Sequence, residues 1–207
     1  MIQKSKIGIF GGTFSPPHFG HIYAAEVFLK EANLDKLLIM PTFIPPHKQL
    51  QDDHPLLRME MVQLAFQDCF EYGKRLLVDP YEISRQQKSY TYQTLIHFAD
   101  PTKELYFLCG TDMFLTLPHW RRPDIICDLA VITLMRREEN PEKEEEIERT
   151  KKFLQKQFHA KTLCLTAPAK EISSTQVRSA IRDGISVDTL LPNSVSDFIK
   201  RKGLYLS

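Results

Sequence analysis

Six short apolar runs punctuate the chain, at 7–10, 37–41, 76–79, 105–109, 130–135 and 163–165. Each is too short for a helix and is bounded by polar or turn-forming residues, so each predicts a buried strand. The stretches between them change period. Ile22, Ala25, Leu29 and Ala32 recur at helical spacing from near His18 or Phe19. Leu56, Leu57, Met61, Leu64, Ala65 and Cys69 give a helix over 56–70 one apolar face. A further helix is predicted from Thr91 to about Ala99, with the Thr91 hydroxyl as a candidate cap. Asn140-Pro141 opens a charged helix in which Glu142, Glu144, Glu145 and Glu146 precede Lys151, Lys152 and Lys156, the order that suits the helix dipole. Near the carboxyl end, Ser173 and Gln176 have capping-box spacing ahead of Val177, Ala180 and Ile181, and Gly184 stops that helix. Val195, Phe198 and Ile199 mark a terminal helix, followed by an extended end. Alternating strands and helices predict an α/β fold, a Rossmann-like, mostly parallel sheet with helices on both faces. No repeat or long linker divides the chain, so one domain is expected over 1–207.

The first apolar run meets Gly11-Gly12, followed by Thr13-Phe14-Ser15-Pro16-Pro17-His18-Phe19-Gly20-His21. Glycines lack a Cβ, so the pair is expected to let the backbone turn sharply and approach a ligand. Pro16 and Pro17 stiffen that turn. A helix starting just beyond it offers open main-chain N–H groups and the positive end of a dipole, a place for phosphate. His18 and His21 stand at that helix start, where both imidazoles can point back at the phosphate and Gly20 leaves room for it. The alternative, one histidine capping the helix and the other packing on it, is disfavoured by the strand–glycine–helix context.

Other corners carry similar chemistry. The run at 37–41 leads into a stiff loop ending Pro45-Pro46-His47-Lys48, with two cations placed for phosphate. The run at 105–109 enters Gly110-Thr111-Asp112, a second strand-to-glycine corner expected beside the first, where the winding of an open sheet reverses. Asp112 reads as a ligand group or as a helix cap. Trp120, the sole tryptophan, lies in an expected loop beside Arg121 and Arg122. Arg58, near the start of its helix, is left either at the surface or facing the site.

Composition narrows the classes. The 207 residues are 43% hydrophobic, enough for a sizeable core, and the formal net charge is only +1. That balance argues against duplex nucleic acid as a partner, because no basic stripe dominates. No run resembles a secretory h-region or approaches a membrane span, so the cytoplasm is the expected compartment. Cys69, Cys109, Cys127 and Cys164 form no Cys-x-x-Cys pair and read as reduced structural thiols.

The pattern Gly-Gly-Thr-Phe-x-Pro-x-His-x-Gly-His over 11–21 resembles the signature of the His-x-Gly-His nucleotidyltransferase superfamily, related in fold to class I aminoacyl-tRNA synthetases. Within it, the chain is similar to the nicotinate-nucleotide adenylyltransferase family of bacterial NAD synthesis. Ile172-Ser173-Ser174-Thr175-x-x-Arg178 matches that family's second motif. Glu82-x-x-Arg85, Tyr90-Thr91-x-x-Thr94-Leu95 and Gly110-x-Asp112 extend the likeness over nearly the whole chain. Two departures stand out: Ser15 where the family usually has Asp, and Arg136-Arg137-Glu138 where members often continue Arg-Pro-Gly.

The resemblance implies an ATP site of Gly11, Gly12, Thr13, Phe14, His18, His21, Asp112, Ile172, Ser173, Ser174, Thr175 and Arg178. His18, His21 and Arg178 would be catalytic, the second motif gripping the triphosphate. Gly12, Thr13, His47, Lys48, Thr91, Trp120 and Arg121 would hold nicotinate mononucleotide, with Trp120 stacked on the ring and Thr91 near its carboxylate. The implied reaction is adenylyl transfer from ATP, with Mg²⁺ carried mainly on substrate phosphates and no protein metal ligand named. Assembly with further copies of the chain is left open. Nicotinamide mononucleotide or phosphopantetheine could replace the acceptor within the same chemistry. A non-catalytic nucleotide sensor is the rival from another class; Ser15 and the 136–138 departure support it, and His18, His21 and Arg178 oppose it.

Overall fold

The computed structural model describes residues 4–45, 54–67, 70–136 and 141–206. Each apolar run is a strand: β1 Ser5–Gly12, β2 Lys36–Pro41, β3 Leu76–Val78, β4 Lys103–Gly110, β5 Ala130–Met135 and β6 Thr162–Cys164. They form one six-stranded sheet in the order β3-β2-β1-β4-β5-β6. All neighbouring pairs are parallel. Chain order descends on one side of β1 and ascends from β4, so the winding reverses between these two strands, where open α/β sheets bind ligands at the carboxyl ends.

The helices are α1 Phe19–Glu31, α2 Pro55–Gln67, α3 Tyr81–Ser84, α4 Thr91–Phe98, α5 Thr111–Thr116, α6 Pro123–Leu129, α7 Pro141–Phe158, α8 Ser174–Arg182 and α9 Asn193–Lys202, and the longer ones follow the predicted periodicity. Parallel strands buried on both faces alternate their side chains between two cores. Leu37 and Ile39 of β2, with Tyr106 and Leu108 of β4, pack against Phe28 of α1, Met61 of α2, Val177 of α8 and Phe198 of α9. Leu38 and Met40, with Leu105 and Phe107, meet Leu95 of α4, Phe114 of α5, Ile126 of α6 and Leu154 of α7. Helices therefore cover both faces, as the alternation of elements predicts. Among the described residues no helix is long and apolar enough to cross a membrane.

Of the cysteines, Cys69 lies outside the described residues; Cys109 and Cys127 are buried and Cys164 half-buried, all as free thiols. Burial pushes the Cys127 thiol up to about 11, and burial with Cys127 nearby pushes Cys109 upward too. Both are thus held as thiols rather than reactive thiolates.

Glu31, the last residue of α1, accepts main-chain hydrogen bonds from Thr166 at 2.6 Å and Ala167 at 3.1 Å. It thereby anchors the connection from β6 to α8. Slight burial raises its carboxyl pKa, but the bonds from Thr166 and Ala167 outweigh that and leave it below its ordinary value of 4.5. A depressed carboxyl stabilises the fold above its unfolded pKa, and that contribution disappears as pH falls through the folded value. Glu31→Gln is therefore expected to lower the melting temperature at neutral pH and to match the parent at strongly acidic pH. Thermal melts of both proteins across that range check this, and a gap independent of pH would contradict it.

Candidate active site

The corner after β1 is built differently from its expected form. Gly11 and Gly12 remain strand, paired with Met40 and Pro41 of β2. The turn comes at Phe14, whose φ of 52° is left-handed, and at the following cis Ser15–Pro16 bond. The missing Cβ of Gly12 accommodates the Phe14 ring, whose atoms would lie 2.9–3.1 Å from it. The Phe14 side chain is 1% exposed and meets the His21 ring edge-on, with centroids 4.9 Å apart. It thus supports His21 from below, and Phe14 can meet a nucleotide only through its main chain.

His18 is the N-cap of α1. Its N–H donates to His21 Nδ1 at 3.2 Å. A neutral imidazole that accepts at one nitrogen carries its proton on the other, so His21 keeps Nε2–H as a donor. The two rings stack with centroids 3.7 Å apart, and His18 is 4% exposed. The capping and ligand readings of these histidines are thus compatible. The expectation of open main-chain amides is narrowed at this helix start. Phe19 N–H donates to Leu190 O at 2.9 Å and His21 N–H to His18 O at 2.8 Å, so two of the first amides of α1 are engaged. Gly20 also serves another purpose than making room for phosphate. A Cβ there would lie 3.0 Å from His18 Nδ1 and 3.4 Å from Ile172 Cβ.

The second motif meets the first. Ser173 is the N-cap of α8, its Oγ accepting from Gln176 N–H at 3.1 Å as predicted. Ser174 Oγ donates to Pro16 O at 3.0 Å. Arg178 donates to Ser15 O at 2.7 Å and to Thr175 Oγ1 at 3.2 Å. Ile172, Ser173, Ser174, Thr175 and Arg178 are therefore drawn to the same turn as His18 and His21. Ser15 Oγ lies 3.5 Å from the Tyr205 hydroxyl, so the residue that departs from the family pattern faces the carboxyl-terminal tail.

Asp112 is exposed in the first turn of α5, whose N-cap is Gly110 rather than Asp112. Thr91 is likewise the first helical residue of α4, and the N-cap is Tyr90. The cap readings of both residues are thus corrected. Arg121 lies over the Tyr90 ring at 4.9 Å, which brings the Trp120 loop against the start of α4. Trp120 is half-buried, donates from Nε1 to Thr116 Oγ1 at 3.2 Å and meets Phe107 edge-on at 6.2 Å. His47 and Lys48 lie outside the described residues. Arg136 donates to Glu144 at 2.8 Å and so ties the end of β5 to α7.

Two polar elements were not placed by sequence reasoning. Arg58 is neither at the surface nor in an open site: it is 0% exposed and donates to Thr13 O and Phe43 O, each at 2.8 Å. The signal was an arginine in an otherwise apolar helical turn. Glu82 is buried and accepts from Thr94 Oγ1 at 2.6 Å. Burial pushes its carboxyl above the usual range, opposed by the hydroxyls of Thr94 and Ser89 and by the Arg85 charge. Among the described residues no three His, Cys, Asp or Glu side chains gather so as to hold a metal ion.

A cytidylyltransferase-like family model matches residues 9–180. A protein named "Probable nicotinate-nucleotide adenylyltransferase" in Clostridium kluyveri is 37% identical over 209 residues, spanning 99% of this chain and all of that one. One of the same name in Clostridium botulinum is 34% identical over 201 residues, covering 97% of this chain and 98% of its own. Two structures of Plasmodium falciparum nicotinic acid mononucleotide adenylyltransferase, complexed with APC and with NaAD, align over 97% of both chains. Their TM-scores are 0.72 and 0.73 at 16% and 15% identity, a likeness of fold. With the two motifs closed on one corner of a matching fold, the chain belongs to the cytidylyltransferase-like family, among the nicotinate-nucleotide adenylyltransferases.

Proposed function

We propose that the chain transfers the adenylyl group of ATP to nicotinate mononucleotide, giving nicotinate adenine dinucleotide and pyrophosphate, in the cytoplasm. The observation that carries this reading is the convergence of the two motifs. Arg178 and Ser174 bond the carbonyls of Ser15 and Pro16 beside the stacked His18 and His21. An oxygen of the mononucleotide 5′-phosphate forms a bond to the α-phosphorus of ATP. The bond from that phosphorus to the bridging oxygen breaks, and its electron pair leaves with pyrophosphate. The attacking phosphate is already anionic, so no general base is required.

Rate enhancement then comes from in-line positioning and from donors aimed at developing phosphate charge. His18, His21 and Arg178 supply those donors, and Ser173, Ser174 and Thr175 face the triphosphate at the start of α8, beside Ile172. Gly11, Gly12 and Thr13 offer main chain along the nucleotides, with Asp112 at the neighbouring corner. Trp120, Thr91 and Arg121 form the nicotinate side, joined on sequence grounds by His47 and Lys48. Mg²⁺ is placed on the substrate phosphates with its own waters, because the ion dehydrates reluctantly and binds largely through phosphates. When bound it neutralises phosphate charge.

Incubation with ATP labelled at the α-phosphate tests the reading. Label should enter a dinucleotide of the mass of nicotinate adenine dinucleotide, and a metal chelator should stop it. Label remaining in ATP would reject the reading. Gly20→Ala should press its Cβ on the His18 ring and lower turnover roughly tenfold or more, since small misplacements of catalytic groups are costly. Turnover equal to that of the parent protein would show that the His18 position is not critical.

A further inference from the structure

The guanidinium of Arg58 is buried at the junction of two loops, and guanidinium groups are seldom fully buried without partners. Thr13 follows β1 directly, and Phe43 lies just beyond β2. One planar fork thus reaches the carbonyls of both loops, each at 2.8 Å. The same loops are joined by Thr42 N–H donating to Gly12 O at 2.9 Å. The Phe43 peptide is held on its other side as well, its N–H donating to Ser89 Oγ at 2.9 Å. Ser89 N–H in turn donates to Ile44 O at 2.9 Å. An apolar side chain of similar length would fill the space but leave two carbonyls without these donors. Lysine has a point charge in place of a fork and cannot reproduce the bridge.

We propose that Arg58 is a positioning residue that sets the separation of the loops after β1 and β2, so that the two substrates meet in line. Ser89 attaches the second loop to the segment that leads into α4. The inference rests on the assignment of these loops to ATP and nicotinate mononucleotide. Among the described residues Arg58 donates to the carbonyls of Thr13 and Phe43, and its effect is carried by the two loops.

The test compares Arg58→Lys, Arg58→Gln and Ser89→Ala with the parent protein by steady-state kinetics and by hydrogen exchange without substrates. Both Arg58 variants should lower kcat by about tenfold or more. Both should speed exchange in 12–15 and 42–45 together, beyond any change elsewhere in the sheet. Ser89→Ala should speed exchange only in 42–45 and raise KM for nicotinate mononucleotide, with kcat kept within about twofold. Parental kcat in both Arg58 variants, or faster exchange spread evenly over the protein, would overturn the proposal. If the parent protein itself turned over no substrate, the functional reading would fall, while the exchange pattern would still decide whether Arg58 couples the loops.

Discussion

Replacing His21 with alanine is expected to lower kcat by about a hundredfold or more, the scale for losing one donor aimed at transition-state charge. The ring is fixed on three sides, by the His18 N–H at Nδ1, by the stacked His18 imidazole and by the edge of Phe14. With Nδ1 accepting, Nε2–H is the donor assigned to phosphate. Alanine also removes the acceptor for the N-cap amide, which should cost only about 1 kcal/mol of stability. The variant should therefore fold and fail mainly in turnover, with KM for ATP little changed. Steady-state kinetics alongside a thermal melt separate the two effects. A kcat within a few-fold of the parent would remove His21 from the chemistry.

Arg178→Ala should produce a loss of similar size in kcat/KM for ATP. Its guanidinium pins the Ser15 carbonyl at 2.7 Å, and in the proposed site it also presents charge to the triphosphate. A hydrogen bond from a charged donor contributes about 1.5–3 kcal/mol. Loss of that bond alone loosens the turn that carries His18, and loss of the phosphate contact adds to it. Arg178→Lys restores charge without the fork, so it should fall between the parent and the alanine variant. The order of the three kcat/KM values is the readout. An alanine variant that equals the lysine variant would mean that the charge does not act on the triphosphate and that the residue serves only the turn.

Much of the fold was legible because buried parallel strands are written as uninterrupted apolar runs. The run at 130–135 coincides with β5 Ala130–Met135, and the others differ from their strands only at the ends. The capping signal at Ser173 was local and therefore readable. The short helices α3 and α6 carry too few turns to show a period, and sequence reasoning did not find them. The corner after β1 was located correctly but its construction was not. A glycine pair suggests a turn, yet strand pairing with β2 keeps Gly11 and Gly12 extended while Phe14 takes the left-handed conformation. Nothing in a phenylalanine announces that role. Arg58, Ser89 and Glu31 act through main-chain groups far away in sequence, and such contacts leave no spacing to read.

The most direct test of the central claim is pyrophosphate release from ATP and Mg²⁺ with nicotinate mononucleotide and nicotinamide mononucleotide in parallel. The account predicts rapid release with the acid and much slower release with the amide, because Thr91, Trp120 and Arg121 are assigned to a ring bearing a carboxylate. No release with either nucleotide, while ATP still binds, would contradict it.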